Sequence, residues 1–217
     1  MIDFHTHSLF SDGELLPSEL VRRVECLGYE FVAISDHADS SNIDHIISRI
    51  TKVAEDINRY SKTRLIPGIE LTHVAPSLIQ PLAKEARKLG ARLVVVHGET
   101  LVEPVAPGTN RAALESPIDI LAHPGLISEE EVILAAKKGI FLEITCRRGH
   151  CLTNGHVARL ALQYNAPLCV NSDGHGPGDF MSEAMAKQVA LGAGIPKKQV
   201  EVIRRNMTKL AKSCFPV

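Results

Sequence analysis

Histidine and carboxylate residues recur along this chain in short groups, and each group closes a run of strand-like residues. They are His5 and His7 in FHTH, Asp36-His37 in AISDH, Glu70 in IPGIE, His97 in LVVVHGE, His123 in DILAHP, and Asp173 with His175 in VNSDGH. Imidazole nitrogen and carboxylate oxygen together make the ligand set of zinc, manganese or iron. Their regular arrival at strand ends points to one metal site assembled from most of the chain, and so to catalysis.

Each group carries its own geometry. His5 and His7 are two apart on a strand and share a face, which makes a chelating pair. Asp12, in Ser11-Asp12-Gly13, lies in the loop before the first helix, within reach of the same end. Asp36 and His37 are adjacent and face opposite ways on a regular strand. His37 is therefore the expected ligand and Asp36 an acceptor that fixes an imidazole tautomer. Glu70 offers a carboxylate that can bridge two cations. His97 and His123 each end an apolar strand, where an unpartnered imidazole would cost about 1–3 kcal/mol, so partners are required. As members of the set they read as ligands. Asp173 and His175 repeat the first pair's spacing on the last strand. Arg147 and Arg148, just after the sixth strand, present planar guanidinium groups suited to an anion such as phosphate. His73, three residues past Glu70, could lie behind the ligands, while His45 and His156 read as helix-surface residues.

These side chains need elements to hold them. Short apolar runs predict strands over Ile2–His5, Phe31–Ser35, Arg64–Glu70, Arg92–His97, Ile118–His123, Phe141–Thr145 and Leu168–Ser172. Helical periodicity predicts helices near 17–27, 43–60, 77–89, 109–116, 128–138, 153–164, 180–193 and 197–213. Pro17 suits a first helical turn, Gly28, Gly90 and Gly139 suit helix ends, and Ser128 with Glu131 forms a capping-box pattern. The segment Glu99–Arg111, with Pro104, Pro107 and Gly108, reads as an active-site lid. Strand–helix alternation implies a parallel sheet with right-handed crossovers. An open sheet would string seven polar strand ends along at least about 28 Å. Only closure into a barrel gathers them at one C-terminal mouth, with the first and last strands as neighbours.

A chain of 217 residues, 45% hydrophobic, has room for one compact barrel, so residues 1–217 are expected to form a single domain. Lys and Arg (24) nearly balance Asp and Glu (25), which argues against a nucleic acid held by bulk charge. The basic residues of the last helix, Lys197, Lys198, Arg204, Arg205, Lys209 and Lys212, read as a solvated outer face. No apolar run is long enough for a membrane span and no signal-peptide pattern opens the chain, so a cytoplasmic protein without membrane contact is expected. The five cysteines form no C-x-x-C pair and read as free, mostly buried thiols.

The ordered motifs FHTHSLFSDG, SDH, GIE, single histidines and SDGH resemble the polymerase and histidinol phosphatase (PHP) superfamily from Ile2 to about Ala211. The resemblance implies a distorted (βα)7 TIM-like barrel with two or three divalent metal ions (zinc, manganese or iron). By that resemblance His5, His7, Glu70 and Asp173 hold one metal, and Glu70 bridges to a second held by His97 and His123. Asp12, His37 and His175 hold a third; many members carry a histidine where this chain has Asp12. The implied reaction is hydrolysis of a small phosphomonoester, histidinol phosphate by preference, with a metal-activated hydroxide attacking phosphorus in line. Arg147 and Arg148 would neutralise phosphoryl charge, and Asp12 or His175 would protonate the leaving alkoxide unless bound to metal. Alternatives are a nucleotide phosphatase or exonuclease of the same superfamily, an amidohydrolase-like barrel, which also opens with H-x-H, and a non-catalytic metal-binding module.

Overall fold

The computed structural model describes residues 1–215. Its strands are β1 (Ile2–Asp3), β2 (Phe31–Ile34), β3 (His37–Ala38), β4 (Arg64–Leu71), β5 (Leu93–His97), β6 (Ile120–Ala122), β7 (Phe141–Thr145) and β8 (Leu168–Asn171). They alternate with helices α1 (Pro17–Cys26), α2 (Ile43–Tyr60), α3 (Pro76–Leu89), α4 (Thr109–Glu115), α5 (Glu129–Lys138), α6 (Asn154–Tyr164), α7 (Glu183–Gly192) and α8 (Lys197–Ser213). The strand order is β1-β2-β4-β5-β6-β7-β8, with β3 beside β4, and every pairing is parallel.

The helices form because each keeps one apolar stripe for the sheet. In α2, Ile43, Ile46, Ile47, Ile50 and Ala54 recur at helical spacing and are buried. In α8, Ile203, Met207 and Ala211 face the barrel while its six lysines and arginines are exposed. The capping box at Ser128 and Glu131 is present, and Gly90 and Gly139 end α3 and α5 at φ 109° and 70°. Strands β4 to β6 are buried on both faces, with Leu65, Ile66, Leu93, Val94, Val95 and Ile120 all inaccessible. Each such side chain contributes about 1.5–3 kcal/mol on burial.

The result is an α/β barrel, nearly closed. The β1–β8 seam lacks a regular ladder. Instead the Asp3 carboxylate accepts the Ser172 N–H (3.2 Å) and Asn171 Oδ1 accepts the Phe4 N–H (3.0 Å). One bridge, between Thr6 and Gly174, joins the segments that follow β1 and β8 at the mouth. Side chains thus replace the backbone pairing expected as far as His5.

The sheet has eight strands where the sequence predicts seven, because the second strand is interrupted. Ile34 opposes Pro67 and His37 opposes Glu70, so register is kept across the gap. At the break the Ser35 N–H turns to the Thr6 carbonyl (2.8 Å), and Pro67 opposite has no N–H to give. Helix α7 starts at Glu183 and not near 180, since Ser182 Oγ accepts the Met185 N–H (3.2 Å) and sets the cap there. All five cysteines are free; Cys169 and Cys214 are buried, Cys146 and Cys151 half-buried, and Cys26 exposed. Among the described residues no helix is long and apolar enough to cross a membrane.

Candidate metal centre

The C-terminal ends of the strands converge, and all nine sequence-predicted ligands meet there. His5 and His7 follow β1, His37 opens β3, Glu70 lies near the end of β4, and His97 ends β5. His123 comes directly after β6, and Asp173 and His175 after β8. His123 and Asp173 have left-handed backbones (φ 25° and 54°), a strained conformation that recurs at functional sites. Asp12 arrives on the loop before α1. There a Cβ on Gly13 would lie 2.2 Å from the His7 carbonyl oxygen, so only glycine lets this loop fold onto the mouth.

Five overlapping groups of donor atoms result: His5, His7 and Glu70; His5, His123 and Asp173; His7, Asp12, His37 and His175; His97, His123 and His150; and His73, His97 and Glu103. His5 Nε2 is 3.2 Å from Glu70 Oε1 and 3.7 Å from Asp173 Oδ1, and His7 Nε2 is 3.3 Å from Asp173 Oδ1. Asp12 Oδ1 is 3.4 Å from His37 Nε2 and 3.3 Å from His175 Nε2. His7 thus stands between Glu70 and the Asp12 group.

A buried carboxylate that sequence reasoning missed holds this arrangement. Glu143, in the middle of β7, accepts the His5 Nδ1–H (2.8 Å) and the Asn171 Nδ2–H (2.8 Å) on Oε1. Its Oε2 accepts the His123 backbone N–H (3.0 Å). It therefore fixes the His5 tautomer with Nε2 toward the centre, the support usual behind a metal-binding imidazole. Asp3 accepts the His5 N–H (3.2 Å) on the same strand end. The signal for both was available: an acid inside a short apolar strand must be buried, and a buried acid needs partners. On the other side Glu70 Oε2 accepts the His37 Nδ1–H (2.6 Å) and the Thr72 hydroxyl (3.0 Å).

Asp36 does not fix an imidazole tautomer, contrary to the sequence-based expectation. Its carboxylate accepts the Ser8 N–H (2.6 Å), the Ser8 hydroxyl (2.7 Å) and the Ser11 hydroxyl (2.7 Å). It anchors the loop that carries Asp12.

Burial and charge act against each other across the site. Burial lowers the His7 pKa to about 4 and that of His123 to about 3, which keeps both neutral, the state a metal needs. Burial also disfavours charge on His5, but the carboxylates of Glu143, Glu70 and Asp173 overcome it and raise its pKa well above the usual value. Burial would raise the pKa values of Glu70 and Asp173, yet the surrounding imidazoles hold both far below the usual carboxylate range.

Several of these atoms are left without partners. His5 Nε2, both ring nitrogens of His7, Glu70 Oε1 and His123 Nδ1 are buried and make no hydrogen bond. Orphaned donors and acceptors of this kind cost about 1–3 kcal/mol each unless something else satisfies them. Lone pairs aimed at a shared centre, close but not aligned to one another, are what a coordinated cation requires. Mixed imidazole and carboxylate donors fit divalent metal ions.

The mouth opens through a cavity of about 280 Å³ whose wall includes Asp12, His97, Arg147 and His175. Arg147 pairs with Asp179 (3.2 Å) at its rim. Arg148 is exposed and lines the neighbouring cavity with Phe180 and Met185; Arg147 borders that cavity too, but of the two it is the one that also lines the mouth. The predicted lid lies over the mouth and brings a carboxylate that the sequence did not single out: Glu103 reaches His73, His97 and His150.

Residues 3–161 match the PHP domain family. The match ends before β8, whose following residues Asp173 and His175 complete the site. The chain is 48% identical over 201 residues to an uncharacterized protein of Methanocaldococcus jannaschii, covering 92% of each. It is 32% identical over 123 residues to ribonuclease P protein component 3 of Methanosarcina barkeri, covering 56% of this chain and 44% of that one. The fold is similar to that of a Listeria monocytogenes protein assigned as a histidinol phosphatase (TM-score 0.62, 14% identity, 85% of this chain and 99% of that one). Motif order, barrel and family match agree: the chain belongs to the PHP domain family.

Proposed function

We propose that this chain hydrolyses a small phosphomonoester, with histidinol phosphate as the preferred substrate, at two or three divalent metal ions. The observation that carries the reading is the set of buried, unpartnered donor atoms on His5, His7, Glu70 and His123 beneath an open cavity. A structural metal site is closed on all sides, whereas a hydrolytic one keeps a face for water and substrate.

In this reading His5, His7, Glu70 and Asp173 hold one metal, and Glu70 with His97 and His123 a second. Asp12, His37 and His175 hold a third. Asp12 and His175 are assigned there and not to proton transfer, because His37 Nε2 and His175 Nε2 both converge on Asp12 Oδ1. The ions, when bound, supply Lewis acidity and an activated water at neutral pH. The chain's own residues do the rest. Glu143 keeps His5 Nε2 in place, Asp36 holds the Asp12 loop against the mouth, and Arg147 binds the phosphoryl anion at the rim. Residues 1–217 are taken as one domain, because β8 and α8, late in the chain, pack against β1 at its start.

A second reading, action on nucleotides or RNA, rests on similarity to a ribonuclease P component and on the exposed basic face of α8. Phosphate release from histidinol phosphate, AMP and short oligonucleotides, with added manganese or zinc and again with chelator, separates the two. Chelator-sensitive turnover of histidinol phosphate above the others is expected. Preference for oligonucleotides would move the chain to the second reading, and silence across the panel with metal bound would make it a non-catalytic module.

A further inference from the structure

Outside the nine residues, two further side chains aim at the same space. Glu103, on the segment between β5 and α4, places Oε2 3.1 Å from His97 Nε2 and Oε1 3.3 Å from His150 Nε2. His73 Nε2 contacts the same carboxylate at 3.1 Å from the solvent side. His150 is only 9% exposed, and its ring lies 4.3 Å from that of His123 and 5.8 Å from that of His97. Its Nδ1 shares a hydrogen bond with Thr100 Oγ1 (2.9 Å). With Thr100 accepting, Nε2 presents a lone pair to the space between His97 and His123. The Nδ1 of His123 is buried and has no partner.

The segment that carries Glu103 is tied down at both ends. Glu99 Oε1 accepts the N–H groups of Gly108 (3.0 Å) and Asn110 (2.9 Å), and the Asn110 amide returns to Glu99 N–H and the Pro124 carbonyl. A Cβ on Gly125 would lie 1.8 Å from the Glu99 carbonyl oxygen, so the β6 loop and the lid base are in intimate contact. In the tip from Leu101 to Pro107 the Glu103 carbonyl accepts the Val105 N–H (2.9 Å), and the Ala106 carbonyl accepts the Thr109 N–H (3.2 Å) and hydroxyl (2.7 Å). Leu101 and Val102 are exposed, and among the described hydrogen bonds and ion pairs Glu103 is the side chain of this tip that reaches the histidines.

We propose that Glu103 and His150 are additional ligands of the metal held by His97 and His123, so that this ion clamps the lid shut. The inference rests on the metal assignment made under the proposed function. It differs from a simple ion pair, in which the carboxylate would only neutralise protonated imidazoles and would lose that partner once metal displaced their protons.

The test uses the full-length protein loaded with manganese or zinc. Metal per chain is measured after dialysis against graded chelator, and hydrogen exchange is followed over residues 99–108 with and without metal. Glu103→Gln and His150→Gln should each weaken retention of one ion by at least about tenfold while the rest is kept. In the wild type, exchange over 99–108 should be slow with metal and fast after chelation; in Glu103→Gln it should be fast in both. Unchanged retention in both variants, or a lid that exchanges faster when metal is added, would overturn the inference. Glu70→Gln serves as the reference. If it loses metal while the other two keep it, only the clamp is wrong; if it too keeps its full metal, the underlying ligand assignment is wrong.

Discussion

The two halves of the mouth are built differently. The deep half is set on strands and strand ends. His5, His7, Glu70 and Glu143 are completely buried, and Glu143 ties His5 and the His123 backbone into the barrel. The half above β5 and β6 is finished by loops: Glu103 from the lid, His150 from the turn after β7, and His73 just past β4, with Glu103 36% exposed. The deep half is organised before anything binds. The shallow half depends on how a short loop is seated. This contrast predicts that damage to the deep half removes the site, while damage to the shallow half retunes it.

The largest expected effect is that of Glu70→Gln, which removes the one carboxylate shared between metal positions. Bound metal and turnover should both fall by orders of magnitude, roughly a thousandfold or more in rate. Elemental analysis with phosphate release checks it; a variant that kept both would show that Glu70 bridges nothing. Glu143→Gln, which touches no proposed metal, should still weaken metal affinity about 10–100-fold, because His5 loses the acceptor that sets its tautomer. If its affinity matched the wild type, the deep half would not owe its order to hydrogen bonding.

On the shallow side, Gly125→Ala should cost at least about 1 kcal/mol. Its φ is +63° and the new Cβ would strike Glu99. Thermal unfolding measures that cost. Residues 99–108 should exchange faster in the variant while the metal bound by the deep half stays; loss of all metal would mean that the halves are not separable. The smallest effect is expected at the rim. Arg147→Ala should raise KM several-fold, up to about tenfold, as one charge-assisted contact is lost, with kcat nearly unchanged. Arg148→Ala should change neither. Equal effects of the two substitutions would contradict the reading that, of the two, Arg147 is the one that serves the mouth cavity.

The same contrast sets what could be read from the sequence. Strand ends are legible because apolar runs stop at them, and a histidine or acid at the stop is conspicuous. His5, His97, His123 and Asp173 were found that way. Glu143 was not, since within FLEIT it interrupts an apolar run without ending it. The shallow half resisted for another reason: Glu103 and His150 lie in segments without periodicity, where spacing carries no direction. Loop direction also separates Arg147, which reaches the mouth cavity, from Arg148, which lines its neighbour. Asp36 misled for a local reason, because its carboxylate turns to the Ser8 N–H and hydroxyl and to the Ser11 hydroxyl instead of to an imidazole.

The seam between β1 and β8 has a kinetic consequence. Phe4 and Asn171 are 167 positions apart, and their contact closes nearly the whole chain into one loop. Contacts of such separation form late, because the entropy of closing the intervening chain must be overcome before they contribute. During synthesis, His5 and His7 leave the ribosome long before Asp173 and Glu143 exist to complete their surroundings. Metal capture by the deep half therefore belongs to the last stage of folding, and an ion present at that moment would act as the pin that holds the finished barrel closed.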